Sequence, residues 1–531
     1  TTIPERYGVG QERMINVKWV EGNQYVDSTT IDTDDNGLLD TVEWITPHLS
    51  NQTFDIILIT KAEHLDADRN FIEDVTDAAK TYDGNYTPAI VAGHYVRATF
   101  DLNLTNKKDI TLFARSPNGG SVQVYEKDSN VQLADFGAFG TERERKQILL
   151  TQLSEGVQQD TFDLRISGGS VEFDQIFDPS VSACSVLTTS DTTYTQTQDI
   201  SNGTFCITIS ADNVIYDGQG YTITFDTLEA GGAASGIKTP SAQTNVTIQN
   251  VAVVKHALGD NSAKGIDLIL TNSTVKDSRI SVWGSGARGL FASNSNNNVF
   301  SNLTVNFTSK SSGFVIETSN SHNNTFANLT VTINSTGSTI GFYLGASHSN
   351  NITGAVMKIL GAGSSLTGIE LSDSRYNKLS NFTVSINGTD TLYGVYIHAG
   401  SNFTQISNFT VLVNGSGTTG IEGILAFQAP SSNSNAFLAA DSGKIIVNAQ
   451  SNAYGLDLSD NTHGVIKNIN ISISNGTAIN LPCSNTCPPV NNTLRNVNSL
   501  IPASGSYYDL YLAANSNGSV FIDDVLPGAY Y

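Results

Sequence analysis

The sharpest chemical signal lies between Asp32 and Glu43. Asp32, Asp34, Asn36, Leu38, Asp40 and Glu43 occupy the ligand positions of an EF-hand loop, with Gly37 at its sharp turn. Ca²⁺ is a hard cation that takes about six to eight oxygens. Asp32, Asp34, Asn36 and the Leu38 carbonyl are expected to coordinate directly, Asp40 through water and Glu43 bidentately. The flanks read as strands rather than paired helices, so this loop is expected to be structural and not a sensor. A degenerate copy follows at Asp66, Asp68, Asn70, Asp74 and Asp77. It lacks the glycine and carries Arg69 inside. A solvated turn capping a short helix is the plainer reading of that copy.

Two more constellations lie further along. Tyr343, Glu370 and Tyr396 recur at one strand position of successive repeats, in the series Asp267, Phe291, Val315, Tyr343, Glu370, Tyr396, Glu422 and Asp457. Aromatic faces interleaved with carboxylates suit a sugar. A packing face is the plainer reading. His322, His348 and Arg375 recur at a turn position, with Glu317 and Asp373 near in register. That set suits an acidic sugar, a metal or proton abstraction. Solvated turn residues are the plainer reading. The Gly-His-Gly and Arg-x-Lys signatures of pectin hydrolases do not occur. Copper would want Met, His or Cys, and 2 Met with 8 scattered His make that reading weak.

These positions depend on a repeat. A pentad of turn residue, any residue, apolar residue, any residue and usually Asn recurs from about Asp217 to Asn496. Clear copies are Asn298–Asn302, Asn324–Asn328, Asn377–Asn381 and Asn492–Asn496. The last position steps through Asp217, Asn250, Asp277, Asn302, Asn328, Gly354, Asn381, Asn408, Ala439, Asn468 and Asn496, at intervals of 25 to 33 residues. A period in that range means a solenoid. A Gly-apolar-x-apolar strand opens each repeat, as at Gly341–Leu344 and Gly368–Leu371. The pentad then turns into a second strand. Asn tolerates the left-handed turn, and its amide can bond the next coil's amide. This last position is expected to form an internal ladder.

Before the repeat, segments such as Tyr95–Phe100, Ile110–Ala114, Val122–Tyr125 and Phe162–Ile166 alternate apolar and polar residues. Short alternating strands suggest an antiparallel sandwich. Glu73–Thr81 and Glu142–Leu150 read as helical.

Composition narrows the partners. The chain has 28 Lys and Arg against 50 Asp and Glu, a formal net charge of -22. Such a chain repels nucleic acid and anionic lipid. No apolar run is long enough to span a bilayer, so no membrane insertion is expected. The 4 Cys fall into two close pairs, Cys184 with Cys206 and Cys483 with Cys487. Paired cysteines without a leftover suit disulfides in an oxidising compartment. About twenty Asn-x-Ser/Thr sequons fit a secreted glycoprotein. N-glycans are expected at Asn51, Asn85, Asn306, Asn334, Asn387, Asn414, Asn475 and Asn517, and not on ladder residues such as Asn302, Asn328, Asn381 and Asn408. The chain starts at Thr1 without Met, so it reads as a processed, exported polypeptide.

Cys184 to Cys206 and the following Asp212–Ile223 resemble the opening coils of secreted right-handed parallel β-helix proteins of the periplasmic copper-binding and carbohydrate-binding type. The Ca²⁺ loop followed by Glu43–Ser50 is similar to a module found before such β-helices in large archaeal surface proteins. The resemblance implies architecture rather than activity.

The expectation is an all-β chain. Residues 1–179 form an antiparallel β-sandwich with an N-terminal arm, and residues 180–510 a right-handed parallel β-helix of about eleven coils. Residues 511–531 form a C-terminal strand. With no catalytic constellation in view, the chain is expected not to be an enzyme. The preferred reading is an extracellular structural glycoprotein, a self-assembling subunit of a filament or S-layer joined through its terminal strands. The alternatives are a polysaccharide lyase or hydrolase, or a carbohydrate-binding adhesin, using the β-helix face.

Overall fold

The computed structural model describes residues 15–19, 24–26, 28–31, 41–44, 54–58, 61–80, 84–106, 109–178, 180–181, 183–227, 234–256, 262–362, 365–416, 420–426, 438–450, 453–458, 463–481, 491–500, 508–512, 519–522 and 529–530. The chain forms two compact units, Thr1–Val181 and Ser182–Tyr531.

Period-two alternation builds the first unit. One antiparallel sheet runs in the order Gln132–Ala138, Ser121–Glu126, Gln159–Ser167, Tyr95–Leu104, Lys61–Leu65 and Phe71–Asp74. The other runs Glu144–Leu149, Asp109–Arg115, Ser170–Phe177 and Ile90–Val91. Inward positions of both supply one core, with Val96, Val122, Phe162 and Leu164 from the first and Ile110, Leu112, Val171 and Phe173 from the second. The expected helix at Glu142–Leu150 is instead the strand Glu144–Leu149, paired antiparallel with Asp109–Arg115. Pairing with a neighbour overrides a helical propensity of a few tenths of a kcal/mol per residue. A short helix does form at Thr76–Lys80, and the Asp74 carboxylate accepts from the Thr76 N–H at 2.8 Å.

The second unit is a parallel β-solenoid of about ten turns. A 14-stranded parallel sheet carries the Gly-apolar strands and is called the site sheet below. A 21-stranded sheet carries the pentads and the strands after them. Identical side chains stack from coil to coil. Phe300 and Phe326 lie 4.7 Å apart at 6°, and Phe382 and Phe409 5.7 Å apart at 14°.

Two polar columns hold the turns, and the sequence had merged them. The last pentad residues Asn302, Asn328, Asn381 and Asn408 take φ of 50° to 55°. They are exposed, not internal. Their amides do bond along the column: Asn328 Nδ2 donates to Asn302 Oδ1 at 3.2 Å, and Asn302 Nδ2 to Asp277 Oδ1 at 2.8 Å. The residue expected there at Ala439 is in fact Ser442 (φ 57°), because Ser407 pairs with Asp441 and Phe409 with Gly443. The buried ladder is the first pentad residue: Asn298, Asn324, Asn350 and Asn377, each 1% exposed or less. Asn350 Oδ1 accepts from the Asn324 backbone at 2.9 Å and its side chain at 3.1 Å, while Asn350 Nδ2 donates to the Ser321 carbonyl at 3.0 Å.

Cys184 and Cys206 are disulfide-bonded across a separation of 22 residues, at the first strands of the site sheet. Cys483 and Cys487 lie outside the described residues. The C-terminal segment continues both sheets. Val520–Ile522 pairs with Thr493–Leu500, and Ala529–Tyr530 with Tyr508–Leu512. Among the described residues, no helix is long and apolar enough to cross a membrane.

Candidate functional site

A recurrent glycine sets the frame of the site sheet. Gly236, Gly265, Gly289, Gly341, Gly368, Gly394, Gly423 and Gly455 share one column with Val315 and Ala478, and at the glycines the neighbouring strand comes too close for a side chain. A Cβ at Gly423 would stand 2.4 Å from Ile445 Cγ2 and 2.5 Å from the Gly455 carbonyl oxygen. Paired positions skip this residue, so the outer face carries two columns. One runs Asp267, Phe291, Glu317, Tyr343, Glu370, Tyr396, Leu425, Asp457 and Asn480. The other runs Lys264, Arg288, Phe314, Ile340, Thr367, Tyr393, Glu422, Tyr454 and Thr477.

This frame corrects the expected strip at two places. Val315 occupies the glycine column, and Glu317 takes the outward position assigned to it. Glu422 precedes Gly423 and belongs to the second column, since the frame is set by Gly423 and not by Gly420. Tyr343, Glu370 and Tyr396 do sit on successive strands as expected from their spacing.

The two columns bring together a cluster the sequence reading did not assemble. Glu422 is 7% exposed, and its Oε2 has no hydrogen-bond partner among the described residues. Burial, followed by the nearby charge of Asp457, pushes the Glu422 carboxyl up to about 8. Asp457 is 5% exposed and accepts from Asn480 Nδ2 at 3.1 Å. Glu370 bonds His398 Nε2 at 3.0 Å. His398 stacks on Tyr396 at 4.3 Å, and Tyr396 on Tyr393 at 4.9 Å. Burial and then the charge of Glu422 push the Tyr393 hydroxyl up to about 12. Tyr454 is raised as well, by burial first and then by Asp457 and Glu422. The signal in the sequence was the acid immediately before Gly423 beside the acid two residues after Gly455. It is readable only once those glycines are aligned.

Towards the other end of the same face, cations are paired off. Lys264 contacts Asp267 at 2.7 Å, and Arg288 is ion-paired with Glu317. Lys238 lies 3.2 Å over the Phe205 ring.

His322, His348 and Arg375 do lie on successive turns, apart from the acid cluster. The imidazoles of His322 and His348 stack at 4.9 Å and 13°. His322 Nδ1 accepts the His348 N–H, and His348 Nδ1 accepts the Arg375 N–H, both at 3.0 Å. Each ring thereby holds the turn of the next coil. Burial and then His322 lower the His348 pKa. Arg375 lies 3.8 Å from Asp373.

Of the Ca²⁺-loop residues, Asp32, Asp34, Asn36, Leu38 and Asp40 lie outside the described residues. Glu43 is exposed on a strand, opposite Thr29. In the second acidic loop, Asp66 accepts from the Asp68 and Asn70 N–H groups at 2.9 and 2.8 Å and from Asn70 Nδ2 at 3.0 Å. Arg69 turns at φ 65° to meet the buried Asp163 at 2.9 Å. Asp74 caps the short helix, and Asp77 lies in its first turn. Among the described residues, no three His, Cys, Asp or Glu side chains are grouped to hold a metal. Asn85, Asn306, Asn334 and Asn387 are exposed; Asn414 and Asn475 are half-buried; Asn51 and Asn517 lie outside the described residues. A groove of about 700 Å³ follows the exposed Asn turn, lined by Asn250, Asp277, Arg279 and Asn302, none of them on the site sheet.

No family model matches the chain, and no curated protein matches it. Among solved structures, the chain is similar to the catalytic domain of a GH87 α-1,3-glucanase variant in complex with nigerose. Identity is 14%, coverage 86% of this chain and 98% of that one, and the TM-score 0.38. It is also similar to the A-module of the mannuronan C-5 epimerase AlgE6 of Azotobacter vinelandii, at 15% identity, 65% and 89% coverage and a TM-score of 0.40. The expectation of a non-enzymatic filament or S-layer subunit is corrected here. The solved structures it resembles are titled as a glucanase catalytic domain and an epimerase module, not as filament or S-layer subunits.

Proposed function

We propose that this chain is an extracellular carbohydrate-active enzyme, a hydrolase that cleaves a polysaccharide laid across the outer face of the site sheet. One observation carries this reading: Glu422 is buried beside Asp457 with a partnerless Oε2, and burial followed by that neighbouring charge pushes its carboxyl up to about 8. A carboxylic acid held up by its surroundings beside a second carboxyl group is what glycoside hydrolysis uses.

Glu422 gives its proton to the glycosidic oxygen as the C–O bond to that oxygen breaks. The Asp457 carboxylate faces the positive charge that develops on the sugar ring. Water supplies the new C–O bond, and its proton returns the acid to its starting state. Tyr393, Tyr396 and Tyr454 offer apolar ring faces with a polar tip, the chemistry that sugars stack on. Their hydroxyls stay protonated and donate hydrogen bonds. The disulfide and the sequons favour a secreted setting. The loop from Asp32 to Glu43 is proposed as a structural Ca²⁺ site of the first unit.

The test is release of reducing ends from a panel of polysaccharides by wild type, Glu422→Gln and Asp457→Asn. Loss of activity in both variants supports the reading. Equal activity in all three proteins overturns it.

A further inference from the structure

The charges on the outer face of the site sheet are segregated. Strands from Ser338 onwards contain no Lys or Arg at any position: Ser338–Gly345, Ser365–Ser372, Thr391–His398, Ile421–Ala426, Ala453–Asp457, Gly476–Leu481, Tyr508–Leu512 and Ala529–Tyr530. Their outward ionisable groups are Glu370, Glu422, Asp457, His398 and tyrosines. The His398 imidazole is engaged by Glu370 at 3.0 Å. The cations Lys238, Lys264 and Arg288 are all on earlier strands, each already against an acid or a ring.

We propose that the polysaccharide taken at this site is uncharged, and that polyuronates are excluded by the face itself. This rests on the hydrolase reading above. A uronate bound beside Glu422 would set its carboxylate against Glu370 and Asp457 with no Lys or Arg of these strands to meet it. Juxtaposed like charges are an effective way to reject a wrong ligand. A neutral sugar has hydroxyls that donate to those same carboxylates, so it meets this face without a like charge. Its apolar ring face fits the tyrosines. On the turn column, the His322 and His348 Nδ1 atoms already accept backbone N–H groups, and Arg375 is held against Asp373 at 3.8 Å.

The experiment pairs cleavage by wild type with affinity electrophoresis of Glu422→Gln at low salt. The probes are neutral glucans, mannan and xylan, the polyuronates alginate and polygalacturonate, and polyglucosamine. Retardation by at least one neutral polymer, tenfold or more stronger than by either polyuronate, is expected. Stronger retardation by a polyuronate, retardation by polyglucosamine alone, or none by any neutral polymer overturns the proposal. Polyuronate cleavage that vanishes in Glu422→Gln overturns the uncharged substrate but keeps the hydrolase. Cleavage unaffected by Glu422→Gln sinks the hydrolase itself.

Discussion

Glu422 and Asp457 stand on neighbouring parallel strands, in different outward columns. Glu422 lies opposite Tyr454, and Asp457 opposite Leu425, with the glycine column between. That offset keeps both carboxyl groups on one face, where the charge of Asp457 adds to burial in holding the Glu422 carboxyl well above the usual carboxylate range.

Activity should therefore depend on protonated Glu422. The acid form is complete well below pH 8 and is lost as pH rises through about 8, so kcat should fall about tenfold per unit above that value. Glu422→Gln should lower kcat by roughly 10²- to 10⁴-fold. The same group sets a stability trend. Its folded pKa is raised from 4.5, so its contribution is fully present below about 4.5 and is lost as pH climbs to about 8. Melting temperature of the wild type should fall relative to Glu422→Gln between pH 5 and 9. Parallel curves would contradict the assigned ionisation.

His398 is expected to position rather than to react. It holds Glu370 and supports Tyr396. His398→Ala should raise KM about tenfold, equal to ~1.4 kcal/mol, with kcat little changed. A fall confined to kcat would place the imidazole in the chemistry instead.

The buried and exposed Asn columns should respond differently to truncation. Asn350→Ala leaves Asn324 groups unpaired inside the solenoid and should cost ~2–3 kcal/mol in denaturant unfolding. Asn328→Ala, at the exposed turn, should cost under about 1 kcal/mol. Equal losses would mean the two columns are not distinct.

Reduction of Cys184–Cys206 should destabilise the solenoid by ~3 kcal/mol, since the bond closes a loop over a 22-residue separation. Thermal melts with and without reductant, and of Cys206→Ser, measure this.

Site-resolved glycopeptide mass spectrometry should find glycans at the exposed Asn306, Asn334 and Asn387. It should find none at Asn302 and Asn328, whose Nδ2 atoms bond the preceding coil. Occupied ladder residues would contradict that hydrogen-bond register.

The sequence alone determined the solenoid. Asn at a left-handed turn and apolar residues at period two are local requirements, satisfied coil by coil, and they repeat visibly. It likewise placed Tyr343, Glu370 and Tyr396 on successive strands. Tertiary structure decided which glycine frames each strand. Gly420 and Gly423 are equally plausible in the sequence, and only the close approach of Gly423 to the Gly455 carbonyl selects one. With that choice Glu422 moved to the column beside Tyr393. Its burial, and hence its proton, is a property of the surrounding coils. Arg69 shows the same division: a misfit inside a Ca²⁺-like loop by sequence, it is an ion-pair partner for the buried Asp163, 94 residues away. Local preference is encoded in spacing, whereas burial and charge coupling arise only when distant strands are stacked.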